Sequence, residues 1–138
     1  MFEVVVGRLW IGNAFDGRDA KQLFANRIQA VVDLAEEEPP AQLPRELTYC
    51  RFPLRDGPGN PVGSLQIAIS TITAFIEKEV PVLVCCSGGM SRSPSIAVFA
   101  LARAVGRTPS EWLNEMTGRK ALDVSPGLWN DLTVAVRI

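Results

Sequence analysis

Cys86 and Arg92 are separated by five residues, Ser87, Gly88, Gly89, Met90 and Ser91, and this segment joins the apolar run Val82 to Val84 to a stretch beginning Ser93-Pro94. A deprotonated thiol is a strong nucleophile, and a guanidinium offers parallel N–H donors that suit a phosphate or another oxyanion. Spacing alone is weak; the surroundings give it meaning. A short apolar strand, a glycine-containing turn and a helix start would aim backbone N–H groups and the positive end of the helix dipole at one point. Cys86 lies at the mouth of that cradle, where the dipole and Arg92 favour the thiolate that nucleophilic catalysis requires. The chemistry implied is attack on an anionic centre, with Ser87, Gly88, Gly89, Met90, Ser91 and Arg92 forming the phosphate-binding loop.

The elements that must position this loop are legible around it. Val4 to Val6 and Leu9 to Ile11 read as a small hairpin, Asp19 to Arg27 as a short helix burying Leu23 and Phe24, and Ala30 to Leu34 as a covered parallel strand. Leu47 to Leu54 is a further extended segment, ended by Arg55-Asp56-Gly57-Pro58-Gly59. Leu65, Ile69, Ile72 and Ile76 recur at helical spacing. Ser95 to Ala104 is apolar around most of its circumference and reads as a central buried helix closed by Gly106. Thr108-Pro109-Ser110-Glu111 is a capping-box pattern opening a helix to Met116. Ser125-Pro126 opens a last helix whose Leu128, Leu132 and Val136 form a docking stripe. The expected fold class is therefore α/β, a small mostly parallel central sheet flanked by helices on both faces, in a single domain over residues 1–138.

Composition removes several alternatives. There is no histidine among 138 residues, which excludes Ser-His-Asp and Cys-His catalytic pairs and histidine-ligated zinc. Fourteen basic against fifteen acidic residues leave a net charge of −1, without the basic footprint of a nucleic-acid binder. The start carries Glu3 and no basic segment of a secretory signal, the longest strongly apolar run, Ile96 to Ala102, is too short to span a bilayer, and the three cysteines are an odd number. These features point to a cytoplasmic protein that engages neither membrane nor nucleic acid.

The chain resembles the dual-specificity branch of the cysteine-dependent protein tyrosine phosphatases. The resemblance is carried, in order, by Leu9-Trp10-Ile11-Gly12, Ala30-Val31-Val32-Asp33-Leu34, Phe52-Pro53-Leu54-Arg55-Asp56, Val82-Leu83-Val84, Cys86 to Arg92 with Ser93-Pro94, and Ser125-Pro126 to Leu132. It implies a dual-specificity phosphatase-like domain with a two-step reaction and no metal or other cofactor. Cys86 would form a phosphocysteine while Arg92 and the loop amides hold the oxygens. Asp56 would protonate the leaving oxygen and then activate water, and Ser93 would stabilise the departing sulfur. The uncharged loop interior favours a phosphorylated protein or peptide, carrying phosphotyrosine and also phosphoserine or phosphothreonine, over a polyanionic lipid.

Where the family carries histidine before the nucleophile, this chain has Cys85. Since that imidazole orders the loop in the family, the resemblance implies a less acidic Cys86, a looser loop and low activity, with Cys85→His expected to raise turnover. A vicinal thiol also suggests capture of an oxidised Cys86 by Cys85, or by Cys50 if the fold brings it near. The plainer readings are that Cys85 and Cys50 are packing residues, that Asp33 makes a structural hydrogen bond, and that Glu36-Glu37-Glu38 is a solvated loop. Trp10, Trp112 and Trp129 read most simply as core aromatics. Asp16 and Asp19 are reserve acids. Two other functions stay open: a phosphoresidue-binding module that has lost efficient catalysis, and a sulfurtransferase or arsenate reductase.

Overall fold

The computed structural model describes residues 1–138. Five strands, β1 (Phe2–Val5), β2 (Leu9–Gly12), β3 (Ala30–Ala35), β4 (Thr48–Leu54) and β5 (Val82–Cys85), form one sheet in the order β1-β2-β5-β3-β4. Only the β1–β2 hairpin is antiparallel; β2, β5, β3 and β4 run parallel. Around the sheet lie α1 (Ala20–Ala25), α2 (Val62–Glu77), α3 (Arg92–Val105), α4 (Pro109–Thr117) and α5 (Pro126–Ala135), with a single 3-10 turn at Asp16–Arg18.

The two-residue side-chain period of a strand divides the core cleanly. Leu9, Ile11, Ala30, Val32, Leu34, Val82 and Val84 face the larger cluster, built with Leu65, Ile69, Ile72 and Ile76 of α2, the apolar run from Ile96 to Leu101 of α3, and Leu128 and Leu132 of α5. Trp10, Val31, Leu83 and Cys85 face the other side, where Leu23 of α1, Ile28 and Leu47 cover them. The central strands are buried on both faces, which is why they read as continuous apolar runs rather than alternating ones. The α/β expectation with helices on both faces therefore holds.

Element ends follow local chemistry. Thr108 accepts from the Glu111 N–H at 3.1 Å and Glu111 accepts from the Thr108 N–H at 3.1 Å, the reciprocal cap read from the sequence. Three sequence expectations fail at the margins. Phe24 is exposed, because Leu23 and Phe24 lie a hundred degrees apart on a helix of six residues that buries one face. Val136 falls just past the end of α5 and is also exposed, with Ala135 taking its place in the core. Of the three tryptophans only Trp10 is fully buried; Trp112 and Trp129 are half-buried against the larger cluster.

Four parallel strands bring Gly12, Ala35, Leu54 and Cys85 to one edge of the sheet, so the loops that follow them share one rim. Open α/β sheets place their ligands outside the carboxyl ends of their strands. No helix is long and apolar enough to cross a membrane.

Candidate active site

Cys86 leaves β5 with its N–H donated to the Gly12 carbonyl at 3.2 Å, so the loop starts tied to the neighbouring strand. The loop then turns through Gly89 at φ +74°, and a Cβ there would stand 2.8 Å from the Gly12 carbonyl carbon. Glycine is required at 89 by both conformation and space. Gly88 has no such constraint, so the closed turn depends on one glycine rather than on the pair. As a result the Gly89 N–H donates to Cys86 Sγ at 3.2 Å, and Ser93 Oγ, fully buried one residue into α3, lies 3.3 Å from the same sulfur. The nucleophile candidate thus has two hydrogen-bonding groups directed at it.

Arg92 is buried, and its five N–H groups are allocated with little freedom. Nη1 and Nη2 each donate to one oxygen of Glu37 at 2.6 Å, and Nη1 also donates to the Leu54 carbonyl at 2.8 Å. The end-on edge of the guanidinium is therefore occupied. Nε is buried without a partner, and beside it one Nη2 hydrogen remains, so the side-on fork is unspent. The ion pair holds Glu37 well below the usual carboxylate range and raises Arg92.

Asp56 reaches the site from the loop after β4. Ser91 Oγ donates to Asp56 Oδ1 at 2.6 Å while accepting the Ser125 N–H at 2.9 Å, so the start of α5, the loop after β5 and Asp56 are joined in one chain. The Asp56 loop is also seated on α5: the Gly59 N–H donates to Asp131 at 2.9 Å, and a Cβ on Gly127 would come within 2.7 Å of Pro58. Asp56, Cys86, Gly88, Met90, Ser91 and Arg92 line one cavity of about 110 Å³, together with Asp123. Asp123 was not singled out in the sequence; its N–H donates to the Met90 carbonyl at 3.0 Å, a contact between loops with no motif to announce it.

The remaining candidates stand elsewhere. Asp33 accepts from Tyr49 Oη at 2.7 Å and from the Ala35 N–H at 3.3 Å, a structural role; burial first, and this hydrogen bond second, push the Tyr49 phenol up to about 12. Asp19 caps α1 by accepting from the Gln22 N–H, and Asp16 accepts from the Asn13 N–H and pairs with the terminal ammonium, so neither reserve acid enters the cavity. Cys85 belongs to the cluster on the opposite side of the sheet from Cys86. Burial first, and the nearby Asp33 charge second, drive its thiol far above the ordinary range. A disulfide between the two adjacent sulfurs is therefore not available. Cys50 pairs in register with Val32, which pairs with Val84, so two strand spacings, about 9.5 Å, already separate it from β5. That exceeds the reach of a disulfide, and both routes for capturing an oxidised Cys86 fail on geometry.

The acidic run is solvated as expected, with Glu36 and Glu37 exposed, but it also makes contacts that its plain reading does not include. Glu37 grips Arg92, and Glu38 accepts from Ser87 Oγ at 2.7 Å and from Arg18 Nη2 at 3.0 Å, so this exposed stretch is also a contact surface for the loop. No three Cys, Asp or Glu side chains converge as metal ligands.

Solved structures share this architecture. Human DUSP28 superposes with a TM-score of 0.85 over 99% of this chain and 96% of its own at 22% identity, a likeness of fold alone. The crystal structure of DUSP15 gives 0.80 over 96% of this chain and 84% of its own at 26% identity. Dual specificity protein phosphatase 15 of Homo sapiens is 31% identical over 107 residues, 77% of this chain and 36% of the relative; the Mus musculus protein is 28% identical over 96% of this chain and 56% of its own length. The chain thus spans between about a third and just over half of the curated relatives it matches. A family model described as Tc-R-P, polymorphic toxin system, DSP-PTPase phosphatase, matches residues 7–104. On that match, the chain belongs to this DSP-PTPase family, within the dual-specificity branch of the cysteine-dependent protein tyrosine phosphatases.

Proposed function

We propose that the chain is a cysteine-dependent phosphatase acting on phosphotyrosine, and on phosphoserine or phosphothreonine, in proteins or peptides. The observation that carries this reading is the unspent fork of Arg92: the side chain's three hydrogen bonds leave free the one edge that would grip two oxygens of a phosphoryl group, in the cavity that also holds Cys86. A buried unpaired N–H costs about 1–3 kcal/mol, a cost that a bound oxyanion removes.

In the first step the Cys86 sulfur attacks phosphorus; the S–P bond forms as the ester P–O bond breaks, and Asp56 gives its proton to the leaving oxygen. In the second, water attacks phosphorus and yields its proton to Asp56, while the P–S electron pair returns to sulfur, which accepts the Ser93 hydroxyl hydrogen bond. Arg92 and the loop amides hold the equatorial oxygens throughout.

Steady-state assays with p-nitrophenyl phosphate and phosphopeptides test this. Cys86→Ser should abolish turnover while retaining phosphopeptide binding, and Asp56→Asn should lower kcat by about 10²-fold or more. Turnover surviving in Cys86→Ser removes the nucleophile assignment. Phosphopeptide binding by a wild type without turnover assigns the chain as a binding module instead.

A further inference from the structure

The turn between β3 and β4 contacts the phosphate-binding loop at both of its ends. Its backbone is gathered by one side chain, Arg51, whose Nη2 donates to the carbonyls of Ala35, Glu36 and Glu38 at 3.3, 3.3 and 3.1 Å. From that turn Glu37 takes the end-on edge of Arg92, the last residue of the loop. Glu38 takes the hydroxyl of Ser87, the first residue after the nucleophile, and its second oxygen is fixed by Arg18. The residue before the nucleophile adds no support of this kind, since the Cys85 side chain is packed with Trp10, Val31 and Leu83 on the other face of the sheet. Outside the backbone, where the Ser87 carbonyl accepts from the Ala14 N–H at 3.2 Å, the Glu38 carboxylate is the partner that orients Ser87.

We propose that Glu38 is a positioning residue for the nucleophile. By holding Ser87 it sets the first turn of the loop, and because Glu37 sets the last from the adjacent position, a single turn fixes the distance between the attacking sulfur and the guanidinium fork. The proposal rests on the phosphatase reading above. Its physical basis is that displacement of a reacting group by about 1 Å can cost about 10²-fold in rate without loss of binding. Glu38 therefore acts on the transition state more than on the bound substrate.

The test compares Glu38→Ala, Glu38→Gln, Ser87→Ala and the double Ser87→Ala/Glu38→Ala variant in p-nitrophenyl phosphate kinetics, with vanadate and phosphate affinities measured by calorimetry. Each alanine variant should lose about tenfold in kcat with KM changed by less than about twofold. The double variant should be no worse than the weaker single one, because both remove the same interaction. Glu38→Gln keeps an acceptor for Ser87 and should recover most of the loss. Vanadate affinity, which reports transition-state geometry without turnover, should fall with kcat while phosphate affinity holds. Alanine variants with wild-type kcat and wild-type vanadate affinity, or losses that add in the double variant, overturn the brace and leave the phosphatase reading standing. A wild type that fails to turn over overturns the phosphatase reading, and the vanadate series still decides the brace. Should Glu38→Ala fail to fold, Ser87→Ala and Glu38→Gln carry the same comparison.

Discussion

Arg92 shows how much of this site is decided at single atoms. Lysine at 92 would bring charge but only three donors on a point-like head, too few to serve Glu37, the Leu54 carbonyl and a phosphoryl group together. Arg92→Lys should therefore raise KM and lower kcat, with kcat/KM down by about 10²-fold or more, rather than behave as a conservative change. Cys85 and Cys50 are held back from reaction, whereas Cys86 lines the cavity. Burial raises Cys85 and Cys50, and Asp33 raises Cys85 further, so both remain protonated near neutrality. Brief treatment with iodoacetamide at pH 7 should label Cys86 and spare the other two, as read by peptide mass spectrometry; prior addition of vanadate should protect Cys86.

At the scale of elements, the contiguous part of the site was open to sequence reading and the assembled part was not. β5, the loop and α3 lie in one stretch, so Cys86, Arg92 and Ser93 announce themselves by type and order. The clamp from Glu37 and Glu38 joins residues 55 and 49 positions apart, on a turn whose carbonyls Arg51 of β4 gathers. Nothing in a run of three glutamates signals that partner, and charge runs are ordinarily solvated. The seating of the acid loop on α5 was hidden for the same reason: Gly59 and Asp131 are 72 positions apart. That seat carries its own prediction. Asp131→Asn or Gly127→Ala should loosen Asp56, and the loss in kcat should be several-fold larger with phenyl phosphate, whose leaving oxygen needs the proton, than with p-nitrophenyl phosphate. Equal losses on both substrates would show that α5 does not act through the acid.

For the whole molecule, the absence of histidine leaves no imidazole to titrate between pH 5 and 8. The groups that link stability to acid are Glu37, Glu38 and Glu111, all lowered from 4.5: the first by Arg92, the second by Ser87 and Arg18, the third by its cap on Thr108. A carboxylate whose folded value is depressed contributes stability that is complete above its unfolded value and is lost as pH falls through the folded one. The thermal midpoint should accordingly show no step from these groups between pH 7 and 5 and should decline below about 4.5, with a smaller decline in Glu37→Gln. A decline that begins above pH 6 would place the linkage elsewhere.

The α5 seat also sets an order of events during biosynthesis. Cys86 and Arg92 precede Ser125 and Asp131 along the chain, so the Asp56 loop, pinned earlier by Asn60 and Ser91, gains its seat on α5 only when those later residues dock. A nascent chain halted before α5 would present its thiol beside a looser Asp56, so such a truncate should turn over more slowly than the full chain. That seat comes late, from a helix that contributes no residue to the cavity around Cys86 and Arg92.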